Sequence, residues 1–330
     1  MSSRRPKVAI LGTRFQDFDI ERAVLGDVEI TSGAGRTRDE IIEVAAGADV
    51  ILAGAAPRFD AETLEAVGCR AIVRLGVGLD GIELDSARSL GMWVVNVPDY
   101  GTEAVALHAV TLTLASLRRL TTADRHLREG SWGVGDLRPL RLPSSLTAGV
   151  LGFGRIGRRV ATMLAGVGFG GFLISDPIAQ PSEVSATLGD VPARLVGTGD
   201  LLAGADVVTL HAPPPSQGHM LGATELRTMR EGSILVNTAR GALVETGALV
   251  AALIEGRPGF AALDVFEEEP PDVSVFEPVS DRVILTPHMS WYTEESELAL
   301  RRQAAAEAGR ILKSQQPLHA VVTPAAAEVR

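Results

Sequence analysis

Residues 147–177 read TAGVLGFGRIGRRVATMLAGVGFGGFLISDP, and this stretch decides the fold. An apolar run ends at Leu151, three glycines follow at Gly152, Gly154 and Gly157, and an amphipathic segment containing RRVATMLAG leads to a second apolar run, GFLIS. Strand, tight turn, helix and strand in that order make one unit of a parallel sheet wrapped by helices. Each glycine has its own reason. Gly152 permits the tight turn, Gly154 lets the backbone approach a pyrophosphate, and Gly157 allows the helix to pack closely on the strand. With Phe153, Arg155 and Ile156 between them, they set a helix N-terminus against an anion. Asp176 ends the second strand, about 20 residues past the last glycine, where a carboxylate can hydrogen-bond the ribose hydroxyls of a dinucleotide and repel a 2′-phosphate. The stretch predicts a site for NAD in preference to NADP. Because Asp176 also precedes Pro177, a strand-end turn is its alternative role.

Outward from this unit the same alternation repeats. KVAIL (7–11), DVEIT (27–31), DVILA (49–53), AIVRLG (71–76) and MWVVNV (92–97) come before it, with helical stretches at 39–46 and 61–67 between them. Pro98, which offers no ladder donor, closes that series. TAGVLGF and GFLIS belong to a second series, continued by VVTLH (207–211), SILVNT (233–238), AALDVF (261–266) and RVILTPH (282–288). Two such series predict an α/β protein with two doubly wound parallel sheets. An amphipathic segment at 102–120 could cross between them, and EGSWGVGDLRPLRLP (129–143) reads as loop. An Ala-rich helix over 294–313 follows the last strand and is long enough to reach back. The expected domains are residues 1–100 with 290–330, discontinuous, and residues 101–289, a Rossmann domain holding the dinucleotide.

Composition narrows the class. Of 330 residues 46% are hydrophobic and 22% charged, the balance of a soluble globular protein. A formal charge of -10 without a basic patch argues against nucleic acid or an anionic membrane as partner. No apolar run approaches the roughly 20 residues that span a bilayer, and the N-terminal MSSRRPKVAIL reads as a first strand rather than a signal peptide. The single cysteine, Cys69, cannot form an internal disulfide, so a cytoplasmic setting is expected and a packed role fits the thiol. No metal is assigned.

Three segments past apolar runs of the second series carry candidate chemistry: NTARGALV with Arg240, DVFEEEP with Glu269 and TPHMSWY with His288. In open parallel sheets the strands' carboxyl ends line one crevice, so these side chains can converge. Reduction of a 2-oxo acid needs a cation to grip the substrate oxygens, and a guanidinium matches carboxylate and carbonyl geometry. It also needs a proton donor that titrates near neutrality, for which histidine is suited. A carboxylate beside an imidazole favours the protonated ring and fixes its orientation. Singly, each residue has a plainer reading: a salt-bridged arginine, a surface glutamate, a turn histidine.

Together the segments become recognisable. RLGVGLDGIEL (74–84), GFGRIG, Asp176-Pro177, NTARGALV, AALDVFEEEP and TPHMSWY, in this order and spacing, resemble the D-isomer-specific 2-hydroxyacid dehydrogenase family over nearly the whole chain. TPHMSWYTEES and NVPDYGTE look most like its C-terminal-binding-protein branch. The resemblance implies a flavodoxin-like substrate domain and a Rossmann NAD domain with a cleft between them, a homodimer, and a small 2-oxo or 2-hydroxy acid as substrate. It implies the roles above for Arg240, Glu269 and His288, with Glu269 chosen among three acids because it directly precedes Pro270. It places the substrate carboxylate on backbone N–H groups of Leu75, Gly76, Val77 and Gly78. Asp264 would contact the nicotinamide amide, Thr238 and Ala239 would line the cofactor site, and Ala212 and Pro213 would wall the adenosine pocket. In the branch named, residues at the positions of Arg74 and Trp291 face the substrate; an interdomain salt bridge and aromatic packing are their alternatives.

The chain departs from the family pattern in places. Leu107 stands where relatives often carry an acid, so His108 reads as structural. HAPPPSQGHM (211–220) is richer in proline than the usual loop. The chain stops soon after the long helix, so no C-terminal regulatory domain is expected. Two rival functions share the fold: an NADH-sensing, corepressor-like binding protein without turnover, and a 3-phosphoglycerate-type dehydrogenase. The second would call for cations beyond Arg74.

Overall fold

The computed structural model describes residues 4–15 and 17–324; residues 325–330, at the end of the first expected domain, lie outside the described residues. The chain divides into two compact units, Met1–Gly101 with Thr293–Arg330, and Thr102–Tyr292.

In the first unit, strands β1 (Lys7–Leu11), β2 (Glu29–Gly33), β3 (Val50–Ala53), β4 (Ala71–Arg74) and β5 (Trp93–Val95) pair in parallel in the order β5-β4-β3-β1-β2. That order is the flavodoxin-like winding. Its core gathers Phe59, Leu64 and Ile72, all essentially without solvent contact.

The second unit holds β6 (Thr147–Leu151), β7 (Gly171–Ser175), β8 (Ala193–Leu195), β9 (Val207–Leu210), β10 (Ile234–Asn237), β11 (Phe260–Leu263) and β12 (Val283–Leu285). They run parallel in the order β12-β11-β10-β9-β6-β7-β8, the Rossmann winding, with its switch point between β6 and β9. Neighbouring residues face opposite cores: Val150, Val207 and Val236 enter one apolar cluster, and Leu151, Val208 and Leu235 the other. Burial on both faces is why these strands read as continuous apolar runs. The helix after the glycine turn, Arg155–Val167, starts at Gly154 and stops at Gly168, whose φ of 98° is a left-handed cap.

Three elements differ from the sequence reading. The segment expected as one helix over 102–120 is Thr102–Leu117, followed after Arg119 (φ 50°) by a separate helix, Leu120–Arg128. A three-residue strand, β8, sits at a sheet edge where its alternation carries little signal. The tail after the long helix Glu294–Leu312 forms β13 (Ala320–Val322), antiparallel on β5, so the first sheet is not wholly parallel. Val322 is buried there, and a short antiparallel strand protects an otherwise open edge.

Candidate active site

The glycine turn lies at the switch point. Gly152 adopts φ 92°, and its N–H donates to the Ser175 carbonyl at 2.8 Å. A Cβ on Gly152 would lie 2.5 Å from the Ala212 nitrogen, and one on Gly157 only 2.0 Å from the Gly152 oxygen, so both glycines are required by close backbone approach. Gly154 is different. A Cβ built there would meet nothing within 4 Å. No packing among the described residues explains that glycine, and space is left at the start of the helix for a ligand.

Asp176 braces the same turn. One carboxylate oxygen accepts from the Phe153 amide at 2.7 Å, the other from the Ile178 and Ala179 amides at 2.9 and 3.1 Å. Burial alone would raise its pKa, but these bonds and the nearby Arg158 charge hold it below the ordinary carboxylate range. The turn role and an ionised acceptor for a ribose are thus compatible, since Oδ2, which accepts only from Phe153, keeps a second lone pair.

Ala212 and Pro213 follow β9, and Thr238 and Ala239 follow β10. Two buried polar atoms here, Thr238 Oγ1 and His211 Nδ1, have no hydrogen-bond partner among the described residues. Burial depresses the His211 pKa to about 3, so the ring is neutral, while its Nε2 lies 2.8 Å from the Thr209 hydroxyl. Open space at Gly154 and orphaned polar groups at the ends of adjacent strands fit a bound dinucleotide.

The three chemical segments meet at the same end of this sheet. Asn237, buried at the end of β10, donates to the Arg240 carbonyl at 2.8 Å and accepts from the Ala239 amide at 3.1 Å, so it shapes the loop carrying Arg240. A Cβ on Gly241 would lie 1.9 Å from the Phe266 carbonyl, which shows how tightly that loop abuts the acidic segment. The Phe266 amide donates to Glu269 Oε1 at 3.1 Å, and Glu269 Oε2 lies 2.6 Å from His288 Nδ1. Burial pushes the Glu269 carboxyl up, and the hydrogen bond and charge of His288 outweigh it, leaving the pKa lowered. The other acids are spent differently: Glu267 accepts from the Thr246 amide and pairs with His219, both at 2.6 Å.

Asp264, just past β11, has no solvent exposure and takes hydrogen bonds from the turn that carries His288. His108, read as structural from sequence, reaches Thr286 in this turn at 3.1 Å. Sequence reasoning missed Asn237 and Thr286; an Asn ending an apolar strand before a turn was the available signal for the first. Trp291 packs edge-on against Tyr292, ring centroids 5.5 Å apart.

In the first unit, β4 ends at Arg74, whose guanidinium donates to the Leu75 carbonyl. The Leu75 and Gly76 amides donate to the Ala53 and Arg74 carbonyls, and Val77 is exposed. Among the described residues no group of metal-ligating side chains is found, and no helix is long and apolar enough to cross a membrane.

A Rossmann winding with a glycine turn, an acid after its second strand and an imidazole-carboxylate pair at its strand ends defines a doubly wound dinucleotide-binding protein. Comparison makes this specific. Residues 110–290 match the model of the D-isomer specific 2-hydroxyacid dehydrogenase NAD binding domain. A glyoxylate reductase of Aeropyrum pernix is 37% identical over 275 residues, 81% of each chain. A D-3-phosphoglycerate dehydrogenase of Archaeoglobus fulgidus is 34% identical over 273 residues, 82% of this chain but 51% of that protein, so the chain spans about half the length of such relatives. The structure of an Aquifex aeolicus D-lactate dehydrogenase complexed with NAD and lactic acid superposes with a TM-score of 0.84 at 26% identity, covering 96% of this chain and 100% of that one. The chain belongs to the D-isomer specific 2-hydroxyacid dehydrogenase family, and its cofactor is NAD.

Proposed function

We propose that this protein is an NAD-dependent oxidoreductase that reduces a small 2-oxo acid to the D-2-hydroxy acid, or runs the reverse reaction. The observation that carries the proposal is the 2.6 Å contact between His288 Nδ1 and Glu269, beside the loop of Arg240. Bound NADH would supply the hydride. Arg240 grips the substrate's carboxylate and carbonyl oxygens and polarises the carbonyl. Glu269 holds the Nδ1 hydrogen of His288, which leaves Nε2 to deliver a proton to the developing alkoxide. The glycine turn, Asp176, Ala212, Pro213, Thr238 and Ala239 hold the cofactor, with Asp264 beside its nicotinamide. Within the second unit Trp291 is assigned to the substrate; within the first, taken by itself, Arg74 and the 75–78 loop suit a carboxylate, the Val77 and Gly78 amides best, because those of Leu75 and Gly76 already donate within the protein.

The test is NADH oxidation by the purified chain with glyoxylate, pyruvate and 3-phosphohydroxypyruvate. Turnover of an unphosphorylated acid is expected. Preference for the phosphorylated one would favour the second reading, which the names of the D-3-phosphoglycerate dehydrogenase relatives motivate. Binding of NADH without any consumption would mark a corepressor-like sensor. A cytoplasmic homodimer completes the proposal. Leu107, Leu120, Leu127, Trp132, Val134 and Leu142 are exposed in the second unit, and a subunit contact would cover such groups. Light scattering giving the mass of one chain alone would remove the dimer.

A further inference from the structure

The turn that presents His288 is built on one buried carboxylate. Asp264 accepts from the Thr286 hydroxyl at 2.6 Å, the Met289 amide at 3.0 Å and the Ser290 amide at 2.9 Å, while its own carbonyl accepts from the His288 amide at 2.8 Å. These bonds hold His288 at φ 49°, a left-handed conformation that a residue with a side chain keeps only when its surroundings impose it. Burial raises the Asp264 pKa, and the nearby His108 ring with the donors of Thr286, Met289 and Ser290 brings it down to about 2, so it is an acceptor only.

That fixes the hydrogens further out. Thr286 has a single hydroxyl hydrogen, and it goes to Asp264. Its remaining lone pairs face His108 Nε2 at 3.1 Å, so Nε2 must carry a hydrogen. The same nitrogen is 3.5 Å from Asp264 Oδ1, where a bare lone pair would be repelled. His108 sits on helix Thr102–Leu117 with its side chain 17% exposed.

We propose that His108 is a positioning residue: as an Nε2–H donor to Thr286 it completes the hydrogen-bond chain that fixes Asp264 and the turn aiming His288. This rests on the role given to His288 under the proposed function. A merely packed histidine would need no hydrogen on Nε2 and would not be coupled to Thr286.

The test uses the full chain and the variants His108→Leu, His108→Gln, Thr286→Val and the double variant His108→Leu/Thr286→Val. Turnover of glyoxylate gives kcat and KM, and fluorescence titration gives NADH affinity. His108→Leu and Thr286→Val should each lower kcat about 10-fold, as misplacement of a catalytic group does, with NADH affinity changed less than about 3-fold. His108→Gln, which keeps a side-chain N–H, should recover most of the loss. The double variant should be no worse than the poorer single, because both break one chain. An unaltered kcat in His108→Leu, no recovery in His108→Gln, or losses that multiply would overturn the proposal. Nitrogen-15 NMR of the wild-type imidazoles should find the hydrogen on Nε2 of His108, and a ring protonated on Nδ1 alone overturns the chain even if a variant does not fold. Should the wild-type protein reduce no 2-oxo acid, the functional reading fails, while the NMR result still judges the hydrogen-bond chain.

Discussion

His288 is held twice, its ring by Glu269 and its backbone by Asp264. Replacing it by Ala should lower kcat by about 100-fold or more, as loss of a general acid does, with NADH titration showing a folded site. Arg240→Lys should raise KM for the oxo acid and slow turnover together, since an ammonium cannot reproduce a two-pronged contact; steady-state kinetics separate the two effects. His211 makes a different prediction. Its pKa falls from 6.5 to about 3 on burial, so between those values the unfolded chain binds a proton that the folded chain does not. Stability contributed by the neutral ring is complete above about pH 6.5 and declines as pH is lowered toward 3. Urea unfolding at pH 7.5, 6 and 5 should show this decline, and His211→Gln should flatten it. Among the three acids of EEEP, adjacency to Pro270 singled out Glu269, and the geometry joins that residue to His288 while Glu267 caps Thr246. His108, in contrast, carried no legible role, because its partners lie far away in the chain.

At the scale of elements, the glycine turn separates protein packing from ligand binding. Gly157→Ala places a methyl 2.0 Å from the Gly152 oxygen and should cost several kcal/mol of stability, near the upper range for strained substitutions. Gly154→Ala meets no atom within 4 Å among the described residues, so its unfolding midpoint should stay close to wild type while NADH affinity drops about 10-fold or more. Calorimetry with NADH titration distinguishes them, and an unchanged affinity in Gly154→Ala would remove the pyrophosphate from that position. The buried strands were legible because both faces are apolar. Strands β8 and β13 were not, since three residues at an edge leave no period, and the helix break at Arg119 lacks proline or glycine.

For the whole molecule, the C-terminal segment closes the first unit. Glu307 accepts from the Leu318 amide and His319 Nδ1, both at 2.9 Å, and Val322 packs in the core opposite Val94. A chain ending at Pro317 loses a buried valine worth about 2 kcal/mol and leaves Glu307 without these donors. Its first unit should melt roughly 5–10 °C lower while the second unit's transition stays put, as scanning calorimetry would resolve. The amino-acid order alone determined two wound sheets, the glycine turn with its acid, and the arginine, glutamate and histidine proposed for the chemistry, because each is written locally as a period or a short motif. Tertiary structure alone decided that β13 returns antiparallel on β5 and that Asp264 and His108 meet the turn of His288. Those depend on hydrogen bonds and edge pairings between residues remote in the chain, which no local pattern encodes.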